Sequence, residues 1–436
     1  KKKKKVPITA RDAFQLKHIQ QLELAYARLL EQHRYDAVLI SSGAAPIRYA
    51  DDQYHHHQGY GHFLHWTGLT GIEHSWLLIQ PGKRPQLWLH APVDFWHATP
   101  DLPNEPWTRR FDITPTTSAE APDLASVGRL AVIGDPTGLA GLAGDHNPEV
   151  LTAALDELRV HKSAYEIECI EYANAHAALG HDAAEDAFLN GGSEFEINLA
   201  YQRDTRQREA DAPYHSIIGV NDHAGILHYQ HYDARRPVQP RSLLIDAGVR
   251  YRGYCSDITR TVHGPGELRF KTLIDGVDRL QKRLCDAVGP GVDYIDLHMK
   301  THLGIAALLR ASNLVQGLDE EAIVETGISR AFYPHGLGHL LGIQVHDVGG
   351  KPTPPPAHAP FLRLTRPLAS GMVLTIEPGL YFIPSLLDPI ASGPHGQHLN
   401  LPLIDELKGC GGIRIEDNVL VTDSGSRNLT RPYLPR

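Results

Sequence analysis

Leu243-Leu-Ile-Asp-Ala-Gly-Val-Arg-Tyr-Arg-Gly-Tyr-Cys-Ser-Asp-Ile-Thr-Arg-Thr261 is the stretch from which the rest of the chain can be read. Two apolar-flanked runs surround a turn near Gly253, which is the pattern of a β-hairpin. Asp246 falls on the first strand and Asp257 on the second, so the fold-back brings their carboxylates together. Leu243, Leu244 and Ile245 imply burial, where an isolated ionised carboxylate costs far more than an ordinary contact returns. Two adjacent carboxylates also repel each other and raise one pKa. A hard divalent cation with oxygen ligands resolves both problems. The hairpin alone leaves a second account open, in which the two aspartates are hydrogen-bonded turn residues.

A chain of 436 residues is too long for one typical domain and suggests two or three. Its 42% hydrophobic and 21% charged content are those of an ordinary soluble globular protein. A net charge of −9 argues against nucleic acid as a partner. No apolar run reaches the length of a transmembrane helix, so no membrane role is expected. Lys1 to Lys5 are basic, but no apolar segment follows them, so they do not read as a secretory signal and are set aside. Cys169, Cys255, Cys285 and Cys410 are scattered without a CxxC pair, which indicates neither a zinc knuckle nor a disulfide framework. That usage favours a reducing, cytoplasmic setting.

In chain order, Thr9 caps an amphipathic helix running to about His33, with Ile19, Leu22, Tyr26, Leu29 and Leu30 as its apolar stripe. Strands are expected at Ala37–Ser41, Ser75–Gln80, Gln86–Leu89 and Leu130–Ile133. With helical patches between them they make a mixed α/β domain. The run His55, His56, His57 cannot converge on one metal, because adjacent residues point apart. Trp66, Trp76, Trp88, Trp96 and Trp107 are read as core residues, with an interface as the alternative. A break near Val160 divides the chain into domains 1–158 and 159–436. Ser163 with Glu166, and Ser193 with Glu196, are capping boxes that open new helices. Apolar stretches at Tyr214–Val220 and Gly225–Tyr229 precede the hairpin. Helices follow at about Glu267–Val288 and Asp293–Ser312, then a loop with His335-Gly-Leu-Gly-His339. Ile343–Asp347 alternates like a strand, and the Pro-rich Lys351–Pro360 must be a surface loop. The last strands are expected at Met372–Glu377, Gly379–Ile383, Gly412–Asn418 and Val419–Asp423.

Four stretches answer the hairpin. His339 follows two glycines that let backbone approach closely. Glu377 ends an apolar strand, and Glu416 lies inside another, with Arg414 two residues away on the same face as a possible partner. Each residue has an ordinary account singly. Together Asp246, Asp257, His339, Glu377 and Glu416 make four carboxylates and one imidazole with formal charge −4, which balances two divalent cations. Without thiolates the set suits hard ions such as manganese or cobalt better than structural zinc. Two such ions can activate a water and polarise a carbonyl, so the implied chemistry is metal-assisted hydrolysis.

These blocks resemble the bacterial Xaa-Pro dipeptidase (prolidase) branch of the pita-bread metallopeptidases. The resemblance rests on Leu244-Ile-Asp-Ala-Gly, Asp257-Ile-Thr-Arg-Thr, His335-Gly-Leu-Gly-His, Val345-His-Asp, Leu374-Thr-Ile-Glu-Pro-Gly-Leu-Tyr-Phe-Ile and Gly411-Gly-Ile-Arg-Ile-Glu-Asp-Asn. It is weak in the first domain and strong from about Lys162 on. It implies an N-terminal α/β domain followed by a pita-bread catalytic domain, an α+β arrangement overall. It also implies that Asp257 and Glu416 bridge two ions, that Asp246 binds one, and that His339 and Glu377 bind the other. The ions would be manganese, with cobalt or zinc as alternatives, and a bridging hydroxide would be the nucleophile, with Glu377 taking its proton. His346 matches the histidine that steadies the tetrahedral intermediate, and His228 the one facing the scissile amide. His335 and Tyr214 would line the pocket, and Arg414 would orient a ligand carboxylate. Arg363 matches the arginine that grips the C-terminal carboxylate of an Xaa-Pro dipeptide, for which its planar fork is suited. Homodimers are usual in the family, and Asp51, Asp52 or Trp88 could reach a partner's site. Hydrolysis of organophosphorus esters is a side activity that the resemblance also implies.

The nearest rival is an aminopeptidase P, with the same fold and ligands but longer Xaa-Pro substrates. The segments from Tyr381 to Leu387 and from Leu401 to Lys408 resemble the dipeptidase branch instead. A creatinase-like amidinohydrolase or a metal-free binding protein on this fold would lack the acid cluster.

Overall fold

The computed structural model describes residues 8–436, so the Lys1–Lys5 reading lies outside the described residues. The chain separates into two compact units, one up to Cys169 and one from Ile170. The elements of the first are α1 (Ala10–Gln32), β1 (Ala37–Ser41), α2 (Gly61–Thr67), β2 (Trp76–Ile79), β3 (Gln86–His90), β4 (Asp112–Thr116), β5 (Leu130–Ile133), α3 (Pro136–Leu139), β6 (Asp145–His146) and α4 (Glu149–Val160). Helix α5 (Ala164–Leu189) crosses the division.

The six strands form one mixed sheet in the order β4-β3-β2-β1-β5-β6. Val38 and Ile40 of β1 face a core with Tyr26 and Leu30 of α1 and Trp66 of α2. The alternate residues Ala37 and Leu39 pack with Leu78 and Val132 on the opposite face. Burial on both faces is why these strands are apolar throughout. The sequence missed β4 and β6, which lie at the two edges of the sheet. Strand β4 carries Pro115 and is largely exposed, as an edge strand can be. Trp66, Trp76 and Trp107 are buried and Trp88 is half-buried, but Trp96 is 76% exposed and belongs to no core.

The second unit continues with α6 (Glu194–Thr205), β7 (Ile217–Val220), β8 (Ser242–Ala247), β9 (Arg250–Tyr251), β10 (Tyr254–Cys255), β11 (Ile258–His263), α7 (Leu268–Asp286), α8 (Tyr294–Ala311), α9 (Glu320–Glu325) and α10 (Ile328–Phe332). After a long irregular stretch come β12 (Val373–Ile376), β13 (Gly379–Tyr381), α11 (Pro384–Ala391), α12 (Leu401–Leu407), β14 (Gly412–Arg414), β15 (Asp417–Val421) and β16 (Ser426–Asn428). Small antiparallel sheets result, with strand orders β11-β8-β7, β12-β15-β16 and β13-β14. Isolated bridges from Thr259 to Glu416 and from Leu340 to Leu374 tie β11 and the His339 loop to the C-terminal strands. Phe188 of α5 and Ile197 and Tyr201 of α6 pack on Ile218, Val220, Leu243 and Ile245.

The aspartate hairpin is more elaborate than its sequence reading. The long strands β8 and β11 do pair, but a second, two-residue-strand hairpin lies between them. Its turn needs positive φ at two central residues, and Arg252 (50°) and Gly253 (91°) supply it. In the apolar stretch Gly225–Tyr229, Gly225 ends a short 3-10 helix at Asn221–Gly225 and the rest is irregular. Two further readings are corrected. Ile343–Asp347 is a run of bends, because its alternating residues find no ladder partner. The C-terminal strands divide at Ile415–Glu416 rather than after Asn418, so Val419 sits inside β15. The capping boxes at Ser163 and Ser193 form as read.

Candidate active site

Asp246 lies near the end of β8 and faces Thr259 across the ladder. Asp257 precedes β11 by one residue instead of lying within it. Its backbone is pinned by Asn418, whose side chain accepts from the Asp257 N–H at 3.0 Å and donates to the Asp257 carbonyl at 2.7 Å. The Tyr214 hydroxyl stands 2.7 Å from Asp246 Oδ1 and 2.8 Å from Asp257 Oδ1, linking the two carboxyls.

Glu416 sits between β14 and β15, where the Thr259 hydroxyl donates to its Oε1 at 2.7 Å. Its Oε2 is buried without a hydrogen-bond partner. Glu377 follows β12 directly, and the Thr375 hydroxyl is 3.1 Å from its Oε2 while accepting from the His339 backbone N–H at 3.0 Å. A Cβ at Gly338 would lie 2.3 Å from the Thr375 carbonyl oxygen, so only glycine lets this loop approach β12. His339 Nδ1–H donates to the Leu340 carbonyl at 2.9 Å. That turns Nε2 toward Asp257 Oδ2 at 3.1 Å and Glu377 Oε2 at 3.6 Å.

Asp257, His339, Glu377 and Glu416 each present a ligand atom within 4.8 Å of the others. Asp246 stands beside this group, joined to it through Tyr214. Burial, and then the neighbouring Asp257, push the Asp246 carboxyl up to about 7. Burial also lifts Glu416 well above the carboxylate range, with Asp257 and Glu377 adding to it. For Asp257 burial acts the same way, but the His339 imidazole outweighs it and holds the group at about 2. Without a cation the crowded charge therefore favours the protonated forms of Asp246 and Glu416. The unpaired oxygen of Glu416 and a donor set of four carboxylates and one imidazole fit hard divalent ions, which would replace those protons.

Around this group, Arg414 donates to Asp246 Oδ2 at 3.0 Å and to the Tyr381 hydroxyl at 3.0 Å. Tyr381 in turn donates to His335 Nε2 at 2.7 Å, since His335 Nδ1–H is spent on the Gly336 carbonyl. The pairing of Arg414 with Glu416 that the sequence allowed does not form, because β14 ends at Arg414 and the chain redirects before Glu416. His346 stands edge-on to His339, ring centroids 4.4 Å apart, and burial pushes its pKa down to about 4. His228 and Arg363 are exposed, in a turn and a loop respectively.

The eleven residues assigned from the sequence to metal binding, catalysis and substrate binding all line one cavity of about 540 Å³. Ile217, Leu227, Val345 and Phe361 supply its apolar walls. The sequence reading overlooked Thr259, Thr375 and Asn418, which bond ligand residues, and Tyr381, which links Arg414 to His335. A signal existed for two of them. Thr259 is two residues after Asp257 and Thr375 two before Glu377, on the same face of an extended backbone.

A family profile described as Metallopeptidase family M24 matches residues 168–423. A second, described as Xaa-Pro dipeptidase, N-terminal domain, matches residues 13–157. The chain is 65% identical over 414 residues to an Xaa-Pro dipeptidase of Marinobacter nauticus, covering 95% of this chain and 96% of that one. It is 41% identical over 428 residues to the Xaa-Pro dipeptidase of Serratia proteamaculans, covering 95% and 97%. Among solved structures, aminopeptidase PepP of Pseudomonas aeruginosa superposes with a TM-score of 0.71 at 22% identity, covering 96% of both chains. Escherichia coli aminopeptidase P superposes with a TM-score of 0.69 at 21% identity, covering 96% and 95%. These two likenesses concern the fold, a mixed α/β N-terminal domain and a pita-bread catalytic domain.

Proposed function

The chain belongs to metallopeptidase family M24, and from that premise we propose that it hydrolyses Xaa-Pro dipeptides. Asp246, Asp257, His339, Glu377 and Glu416 would hold two divalent ions, with manganese the best match to so oxygen-rich a set. Bound there, the ions supply Lewis-acid polarisation of the scissile carbonyl and a lowered pKa for the attacking water. The Glu377 side chain, at 18% exposure, is more open to the cavity than Asp257 at 7% or Asp246 at 12%. That greater exposure supports Glu377 as the group that takes the proton from the attacking water. The neutral His346 donates a hydrogen bond to the oxygen that gains charge. His228, on the cavity wall, faces the amide nitrogen. Proline supplies no N–H there, so recognition falls to the two ends of the substrate and to the ring. The apolar wall accepts the ring.

One observation carries the choice of a dipeptide. Arg363 is exposed on the wall of the same cavity and has no ion-pair partner among the described residues. A guanidinium left free beside the reacting groups is suited to a substrate carboxylate, and it limits the substrate to two residues. The same reading sets the enzyme in the cytoplasm as a homodimer. Its four cysteines are free and buried, and no described helix is long and apolar enough to cross a membrane.

The test compares Ala-Pro with Ala-Pro-Ala, with manganese and after chelation. Cleavage of the dipeptide alone, lost on chelation and restored by manganese, is expected. Equal cleavage of the tripeptide would move the assignment to an aminopeptidase P.

A further inference from the structure

The first unit holds a second cluster of ligand-type side chains, separate from the cavity just described. His18 of α1, His65 of α2 and Glu166 in the first turn of α5 each present one donor atom within 4.8 Å of the others. They are 3%, 2% and 2% exposed. His18 Nδ1 is 3.8 Å from Glu166 Oε1, and His65 Nε2 is 3.6 Å from Glu166 Oε2. Both separations are too long for hydrogen bonds, which lie at about 2.7–3.2 Å. They approach the spacing of about 3.4 Å between two ligands that share a tetrahedral ion at about 2.1 Å.

The surrounding bonds prepare the ligands. His18 Nε2–H donates to the His65 carbonyl at 2.8 Å, which leaves the lone pair of the neutral ring on Nδ1. A backbone carbonyl on the far nitrogen is how metal-bound histidines are commonly oriented. His65 is buried with its Nδ1 lacking a hydrogen-bond partner, and its Nε2 faces the Glu166 carboxylate from beyond hydrogen-bond distance. Glu166 Oε1 accepts from the Ser163 N–H at 3.1 Å, and its Oε2 faces His65 Nε2. Ser163 Oγ lies 2.8 Å from His18 Nδ1 and accepts from the Glu166 N–H at 3.3 Å, so an ion bound at Nδ1 would displace the hydroxyl from His18. Beside the three lies a cavity of about 510 Å³, also bordered by Arg28, Glu157 and His161, with room for a water.

We propose that the first unit binds one divalent ion of the zinc class through His18 Nδ1, His65 Nε2 and the Glu166 carboxylate, with water from the cavity as fourth ligand. Two imidazoles and one carboxylate favour zinc, whereas the oxygen-rich set of the second unit favours manganese. The ion would tie together α1, α2 and the start of α5, which are distant in sequence.

The experiment is zinc binding to the full chain, followed by elemental analysis. In a chain carrying Asp257→Asn and Glu416→Gln, chelated and then dialysed against zinc alone, one zinc per chain should remain. Adding His65→Gln should remove it, while Glu166→Gln should weaken it at least tenfold. Cobalt in place of zinc should show the visible spectrum of a four-coordinate ion, lost with His65→Gln. With the second-unit ligands unaltered, His65→Gln should lower zinc content by one per chain and leave dipeptide hydrolysis unchanged. Folding of each variant is checked by circular dichroism, and Glu166→Gln decides the matter if His65→Gln does not fold. No retained zinc, or zinc retained equally by the folded variants, would overturn the proposal. Zinc content is read without reference to activity, so failure of the dipeptidase reading would leave this result standing.

Discussion

Replacing Arg363 with Gln separates a carboxylate anchor from a surface arginine. The guanidinium is exposed on the cavity wall and makes no ion pair among the described residues, so its loss should leave folding unchanged. Two unit charges at about 4 Å attract by about 1 kcal/mol in water and about 4 kcal/mol at the effective dielectric of a surface pair. A bound dipeptide partly covers Arg363, which places the pair between those limits. Hydrogen bonds to a charged group add to the same range, at about 1.5–3 kcal/mol net. The expected loss is about 2–3 kcal/mol, or roughly 30- to 150-fold in kcat/KM. The substrate carboxylate does not change charge during reaction, so the loss should appear chiefly in KM. The assay is kcat/KM for Ala-Pro and for Ala-Pro amide, with manganese-loaded parent and Arg363→Gln enzymes. The parent should prefer the free acid by that factor, and the variant should treat the two alike. Arg363→Lys should recover part of the preference, since it restores the charge without the planar fork. An equal loss on both substrates would refute the reasoning.

Arg414 is 4% exposed and donates to Asp246 Oδ2, so Arg414→Met removes that donor while Tyr214 still bonds Oδ1. Because the protonated form of Asp246 is favoured without metal, the metal-free chain should lose about 1–3 kcal/mol, read as a lower urea midpoint, and an unchanged midpoint would refute the pairing. Glu416→Gln preserves the bond from Thr259 but removes a ligand charge, so bound manganese should fall by at least one ion per chain without change in circular dichroism. Because the Asp246 carboxyl is raised to about 7, manganese loading at pH 6 should release protons, and less should be released above pH 7. Weakly buffered indicator titrations measure this, and release independent of pH would contradict it. Asp417 is held at about 2 by Arg260 and Arg431 against burial, below its ordinary 3.8. Its stabilisation is fully present above about pH 4 and is lost as pH falls toward 2, amounting to about 2 kcal/mol. Asp417→Asn should flatten that part of the stability–pH curve measured by urea unfolding, and an unaltered curve would exclude it.

Much of the architecture was legible because it rests on local rules. The capping boxes at Ser163 and Ser193 depend on residues three apart, and both form. Strands β1 and β5 matched their expected bounds because burial on both faces leaves an unbroken apolar run. Edge strand β4 left no such run, since an edge needs little burial. Ile343–Asp347 shows the reverse case, where alternation is present and no partner strand comes to pair with it.

The ligand chemistry of the second unit was also written in the sequence. Carboxylates set in apolar runs demand compensation wherever the chain takes them, so Asp246, Asp257, Glu377 and Glu416 stood out before any geometry was known. Their division of labour was decided only by the tertiary structure. Arg414 pairs with Asp246, which is 168 residues away in sequence, and not with Glu416, two residues on. The choice follows from where β14 ends, and it leaves one oxygen of Glu416 without a partner. Residue types are local facts, whereas the energy of a buried charge depends on distances that exist only after residues far apart in the chain have packed together.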